Sequence, residues 1–252
     1  MIRGLYTSAS GMMANRRNLN VVSNNLANAD TDGFKRKEGV KMSFPEMLIS
    51  RMEKGERSRE LGELGTGAQL DDTFTDFSSG EAKHTGNMLD LAIEGEGFFP
   101  VQTPEGVRYT RNGNFTLNSD GEIATQQGYR LLDEDENPIQ TVSEHEVSVA
   151  PNGQIHFDDL EGSQINVIDF PDKDEMLEQT GENLYDYHGE EAEEVEGDRI
   201  RQGYLEGSNV NIVEEMTRMI EVNRLYEAGQ KAIQSMDNTL GKAVNEAGNV
   251  SR

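Results

Sequence analysis

The chain has 252 residues, of which 34% are hydrophobic and 28% charged, with no Trp, no Cys and a formal net charge of −24 at pH 7. That length can bury a core as one large domain or two, while the absence of Cys excludes disulfides and thiolate metal sites. No apolar run reaches the roughly 18 residues of a membrane-spanning helix, and Met1-Ile2-Arg3 leads into polar sequence, which reads as a soluble chain without a cleaved signal.

The charge is unevenly placed. Residues 1–59 hold 11 Lys and Arg against 6 Asp and Glu, residues 60–204 hold 7 against 34, and residues 205–252 hold 5 against 7. The ends are near neutral and can pack closely. The middle, at −27, is a solvated, self-repelling body unsuited to nucleic acid.

In chain order, the first predicted element is a helix from Ile2 or Tyr6 to Asn28. Leu5, Met12, Leu19 and Leu26 recur along it every seven residues, flanked by Ala9, Val22 and Ala29. A heptad step keeps one narrow apolar stripe facing a partner helix over many turns. Asn28-Ala29-Asp30-Thr31-Asp32-Gly33 then supplies capping and turn residues, so a sharp exit is expected. Met47 to Asp72, rich in charge, Gly and Met, reads as a partly helical or extended connector.

Short β segments follow. Leu89 to Ile93, Phe98 to Thr103, Arg108 to Thr110, Asn114 to Asn118, Glu122 to Thr125 and Arg130 to Leu132 are predicted strands, joined by turns such as Pro104-Glu105-Gly106 and Ser119-Asp120-Gly121. Further strands are expected at Val147 to Ala150, Gln154 to Phe157 and Ile165 to Phe170, the first two joined by Pro151-Asn152-Gly153. Glu182 to Asp198 reads as an exposed loop or solvated edge.

The last helix is expected to begin near Ser208 to Asn211, where short polar side chains accept the first backbone N–H groups and Glu214 and Glu215 complement the positive helix end. Ile212, Met219, Tyr226, Ile233 and Leu240 form its heptad stripe, and Val222, Gly229, Met236 and Ala243 a second. Small residues at Gly229 and Ala243 permit close backbone approach. Periodicity alone leaves open an amphipathic helix lying on its own core. The predicted fold class is α+β: N- and C-terminal helices pairing as a coiled coil, and a central antiparallel β-rich domain. The expected organisation is residues 1–45 as the N-terminal helix and turn, 46–75 as connector, 76–204 as β domain and 205–252 as C-terminal helix.

The residues offer no catalytic constellation. His84, His145, His156 and His188 are scattered, and none forms a two-His helical metal pair. Gly95-Glu96-Gly97 resembles the start of a dinucleotide loop, but Pro100 stands where a third glycine belongs and Phe98-Phe99 continues as a strand. Asp30-Thr31-Asp32-Gly33 lacks the remaining acidic ligands of a calcium loop. Acid runs such as Asp133-Glu134-Asp135-Glu136 read as solvated surface, not as a carboxylate pair in an apolar pocket. No enzyme activity, cofactor or metal is expected.

Ser23-Asn24-Asn25-Leu26-Ala27-Asn28, followed by Thr31-Asp32-Gly33-Phe34-Lys35-Arg36, resembles the N-terminal signature of the flagellar basal-body rod and hook protein family. Two further blocks agree: Gly95-Glu96-Gly97-Phe98-Phe99 through Tyr109-Thr110-Arg111-Asn112-Gly113-Asn114-Phe115, and Leu205-Glu206-Gly207-Ser208-Asn209-Val210 running into Glu214-Glu215-Met216, Arg224 and Tyr226-Glu227. The resemblance implies a structural subunit of the bacterial flagellum that self-assembles through its terminal helices into a tubular drive shaft, transmitting motor torque in motility. It implies other rod and hook proteins and the flagellar type III export apparatus as partners, with export beyond the cytoplasmic membrane, no nucleic acid and no membrane insertion. The connector with Leu64-Gly65-Thr66-Gly67 resembles the distal rod type more than the proximal type, and the chain is short for a hook protein. A secreted adhesin-like β domain dimerised by a coiled coil is the alternative from another class.

On this reading the assembly interface comprises Leu5, Met12, Leu19, Asn24, Asn25, Leu26, Asn28, Gly33, Phe34, Ile212, Met219, Val222, Tyr226, Ile233, Met236 and Leu240. Asn24, Asn25 and Asn28 either end the helix or bond between subunits, and Phe34 and Lys35 either pack locally or make axial contacts. Burying a Leu-sized side chain contributes about 1.5–3 kcal/mol, so the two seams represent on the order of 10 kcal/mol before ordering costs. Part of that gain is expected only when neighbouring subunits arrive.

Overall fold

A computed structural model describes residues 2–43, 47–51, 59–65, 67–141, 147–157, 160–189, 193–194, 197 and 199–249. Helix α1 (Ile2–Ala27) is followed by strands β1 (Lys37–Ser43), β2 (Met47–Arg51), β3 (Arg59–Leu64), β4 (Ala68–Thr75), β5 (Ala82–His84), β6 (Leu91–Ile93), β7 (Phe99–Thr103), β8 (Gly106–Thr110), β9 (Phe115–Leu117), β10 (Ile123–Thr125) and β11 (Arg130–Leu131). Then come β12 (Val147–Val149), β13 (Gln154–Phe157), β14 (Leu160–Gln164), β15 (Ile168–Asp169), a short helix α2 (Lys173–Met176), β16 (Leu177–Gly181), β17 (Leu184–Tyr187), β18 (Glu193–Glu194), β19 (Ile200–Gln202), β20 (Tyr204–Glu206) and α3 (Ile212–Asn249). The class is α+β, with the terminal helices packed together and antiparallel sheets between them in sequence.

The chain divides into two compact units, one built from residues 1–26, 37–74 and 211–252, the other from 27–36 and 75–210. In the helical unit α1 and α3 run antiparallel, because the facing residue numbers rise along one helix as they fall along the other. A side chain added at Gly4 would meet Met236 at 3.0 Å, one at Gly229 would meet Met12 at 2.6 Å, and Asn25 Nδ2 donates to Glu215 Oε2 at 3.3 Å. Gly229 thus serves the close approach that its place in the seam predicts. Asn211 Oδ1 accepts the backbone N–H groups of Val213 and Glu214 at 3.0 and 3.3 Å, which explains where α3 starts.

The heptad residues lie along this helix pair. Leu5, Met12, Leu19 and Leu26 on α1, and Met219, Tyr226, Ile233, Met236 and Leu240 on α3, are half-buried; Val222 is buried and Ile212 exposed. On α1 the deepest residues are Ala14, Val22 and Asn25, which stand beside the heptad line. The region read as a connector contains no helix among its described residues. It forms the antiparallel β2–β3 hairpin, with Met47 opposite Leu64, and strand β4, which pairs with β1.

The β unit centres on a seven-stranded antiparallel sheet of order β16-β17-β8-β7-β11-β10-β9. The three-stranded sheet β12-β13-β14 and the pairs β6–β19, β5–β20 and β15–β18 complete it. Alternating residues converge on one core that includes Leu91, Phe99, Val101, Phe115, Ile123, Leu131, Ile155, Ile165 and Ile200. A second, aromatic cluster joins Phe98, Phe170 and Tyr185 to Phe77, Tyr109 and Tyr187. All the strands predicted between Leu89 and Phe170 occur, several shortened by a residue or two at one or both ends and the last to Ile168–Asp169; β8 starts earlier, at Gly106. In the predicted Pro151-Asn152-Gly153 turn, Gly153 takes φ +90°.

The strand pair β16–β17 was not legible. Its two loop residues, Glu182 and Asn183, take φ 51° and 59°, the geometry of a tight hairpin, without the Asn-Gly pair that usually announces it. In the stretch read as an exposed acidic loop, Glu193–Glu194 forms β18; Glu190 and Glu191 lie outside the described residues.

Candidate functional site

The Asn-rich motif at the end of α1 acts inside the helical unit through one amide. Asn25, 1% exposed, donates from Nδ2 to the Lys37 carbonyl at 2.8 Å and accepts the Lys37 N–H on Oδ1 at 2.9 Å. Its side chain thus pairs with the first residue of β1 as a neighbouring strand would, while also donating to Glu215 on α3. Asn28 Oδ1 accepts the Thr31 hydroxyl at 3.2 Å, which closes the turn after the helix, and Asn24 is exposed.

In the β unit, the turn after α1 is clasped by the segment preceding α3. Gly33 takes φ +69°, and its N–H donates to the Glu206 carbonyl at 2.7 Å. Phe34 and Lys35 are buried, at 2% and 1% exposure. Glu206 Oε1 accepts Lys35 Nζ at 2.7 Å and the Gly80 N–H at 2.9 Å, and Oε2 accepts Arg111 Nη1 at 3.2 Å. Lys35 also donates to the Ser78 carbonyl at 2.8 Å, and Arg111 donates to Gly95 at 2.8 Å while lying over the Phe98 ring. Next to this triad, Asn209 Oδ1 accepts the Arg36 N–H at 2.7 Å and its amide donates to the Asp76 and Ser78 carbonyls. Two buried cations thus share one buried carboxylate, whose Oε1 also accepts the Gly80 N–H.

Burial holds the Lys35 ammonium below its ordinary 10.5, with Glu206 opposing and Arg111 adding to the effect. Asp76 is held below 3.8: burial acts upward, but the Ser78 hydroxyl and N–H and the Arg36 guanidinium outweigh it. Burial pushes the Tyr185 phenol well above its ordinary 10.0, although Arg111 pulls the other way. The folded state therefore favours the neutral phenol. Below pH 10 this costs nothing; above it the unfolded chain loses the proton first, and stability falls by up to about 1.4 kcal/mol per pH unit from this group. Denaturant titrations on either side of pH 10 should show that slope in the native chain and a shallower one in Tyr185→Phe.

The arrangement closes the chain upon itself. Among the described residues no group of three or more His, Asp or Glu is placed to hold a metal ion, and no helix is long and apolar enough to cross a membrane. His84 meets the Tyr204 ring edge to face, His156 sits on β13, His188 lies near Glu178 and Asp186, and His145 falls outside the described residues. Gly95-Glu96-Gly97 leads into β7, not into a helix. Lys35, Arg111 and Glu206 come from the three motif blocks, yet only Gly33 and Phe34 of this clasp were among the candidate site residues. Their appearance in separate signature blocks was the one available signal; their meeting was not encoded in any local spacing.

Residues 5–35 match the flagella basal body rod protein family, 92–157 the flagellar hook protein FlgE/F/G D1 domain, and 201–246 the flagellar basal body rod FlgEFG protein C-terminal family. The chain is 35% identical, over 96% of its length and 98% of the other, to flagellar basal-body rod protein FlgG of Buchnera aphidicola subsp. Schizaphis graminum. It is 34% identical to flagellar hook-basal body complex protein FlhO of Bacillus subtilis, over 99% of this chain and 100% of that one. To flagellar basal-body rod protein FlgF of Caulobacter vibrioides it is 36% identical, over 95% and 94%. The chain belongs to the flagellar basal-body rod protein family, as a FlgG-like structural, non-enzymatic subunit of the rod that assembles with rod components.

Proposed function

We propose that this subunit polymerises through its terminal helices into a tubular distal rod that carries motor torque. Its partners are then further copies of itself, neighbouring rod and hook proteins, and the flagellar export apparatus. The observation that carries this reading is the outer side of α3. Val213, Met216 and Ile220 share one helix face and are 74%, 50% and 54% exposed. Such a row on a helix whose opposite side packs on α1 fits a neighbouring subunit, alongside exposed Tyr6 and Met13 of α1. Within the proposed interface, half-buried Leu5, Met12, Leu19, Leu26, Met219, Tyr226, Ile233, Met236 and Leu240 and exposed Ile212 and Asn24 can offer edges to a neighbour. Buried Asn25, Gly33, Phe34 and Val222, with Asn28, support it from inside the subunit.

Electron microscopy and sedimentation of the purified full-length chain test the reading. Wild type should form tubes or filaments, and Ile220→Glu with Met216→Glu should abolish them while leaving the thermal melt within about 0.5 kcal/mol of wild type, as exposed substitutions do. Unchanged polymers in that variant, or discrete dimers in wild type, would count against it.

A further inference from the structure

The division of the chain into two units also divides its charge completely. The helical unit holds 14 Lys and Arg against 14 Asp and Glu, and is neutral; the β unit holds 9 against 33, and carries the whole −24. Six of the nine cations of the β unit are engaged with its own acids. Lys35 and Arg111 are buried on Glu206, Arg36 pairs with Asp76, Arg108 with Asp186, Lys173 with Glu96 and Asp169, and Arg201 with Glu94. Acids such as Glu134, Asp135, Asp172, Asp174 and Glu175 remain exposed. A second copy therefore meets a neutral, partly apolar helical unit and a β unit whose surface carboxylates repel their counterparts.

We propose that the β unit is an electrostatic gate on self-assembly, so that copies associate only where counterions screen it. The helical unit supplies association that depends little on salt, whereas repulsion between like-charged bodies reaches as far as the Debye length. The proposal rests on polymerisation through the terminal helices. It makes ionic strength, and no particular ion, the regulator of that process.

The test is the critical concentration for polymerisation of the full-length chain, read by sedimentation and electron microscopy. Raising NaCl from about 20 mM to about 300 mM shortens the Debye length from roughly 20 Å to roughly 6 Å and should lower the critical concentration at least about tenfold. Sodium sulfate should give the same curve when plotted against ionic strength. A variant carrying Glu134→Gln, Asp135→Asn, Asp172→Asn, Asp174→Asn and Glu175→Gln should polymerise more readily at the low end and match wild type at the high end. A critical concentration independent of ionic strength, or the same salt curve in the variant, would overturn the gate and leave the polymerisation reading standing. No polymer from either chain at any salt would overturn the polymerisation reading, and the gate with it.

Discussion

Replacing Glu206 with Gln should destabilise the β unit by about 3–5 kcal/mol, because it removes the single carboxylate that two buried cations share. Lys35 and Arg111 are 1% and 3% exposed, so little water reaches them to replace that carboxylate. The amide can still accept from the Gly80 N–H, so the loss tests charge and not shape. Urea denaturation followed by near-UV circular dichroism of the tyrosines gives the value. A double-mutant cycle with Lys35→Met separates the pair's own coupling from the cost of stranding Arg111; the double variant should lose less than the sum of the singles. A loss under about 1 kcal/mol in the Gln variant would mean that the triad is well solvated, contrary to its burial.

Gly33→Ala should cost about 3 kcal/mol, from two causes that act together. The residue holds φ +69°, where a side chain is strained, and its Cβ would lie 2.5 Å from the Arg111 carbonyl carbon and the Asn112 nitrogen. These are backbone atoms, so relief requires moving the strand end that delivers Arg111 to Glu206. Because that movement also draws Arg111 from Glu206, the melt of Gly33→Ala should fall less in a Glu206→Gln background than in the native chain, while Gly33→Asn, which tolerates the left-handed region, still meets the same backbone and gains little. Full stability in the Ala variant would refute the close approach.

Much of this molecule is periodic, and what is periodic was readable. Leu5 to Leu26 and Ile212 to Leu240 announced two helices, although on α1 the deepest residues, Ala14, Val22 and Asn25, stand beside the heptad line and Ile212 is exposed. Turn residues marked the hairpins β7–β8, β9–β10, β10–β11 and β12–β13, whose strands are neighbours in sequence. The charge counts also foretold a neutral pair of ends around an acidic body. The signature around Asn24 to Arg36 pointed to the family that the relatives establish.

Only the tertiary structure decided which distant groups meet. Strand β5 pairs with β20 across more than a hundred residues, and Asn25 reaches both Lys37 and Glu215. Glu215 reads in sequence as an acid that complements a helix N-terminus, yet it is 1% exposed and accepts from that amide. Likewise the sequence by itself determined that Lys35, Arg111 and Glu206 stand in recognisable blocks, but not that they form one buried triad. Periodicity states how a side chain faces within its own element; which partner repays a buried charge for its lost water depends on contacts that exist only once the chain has closed.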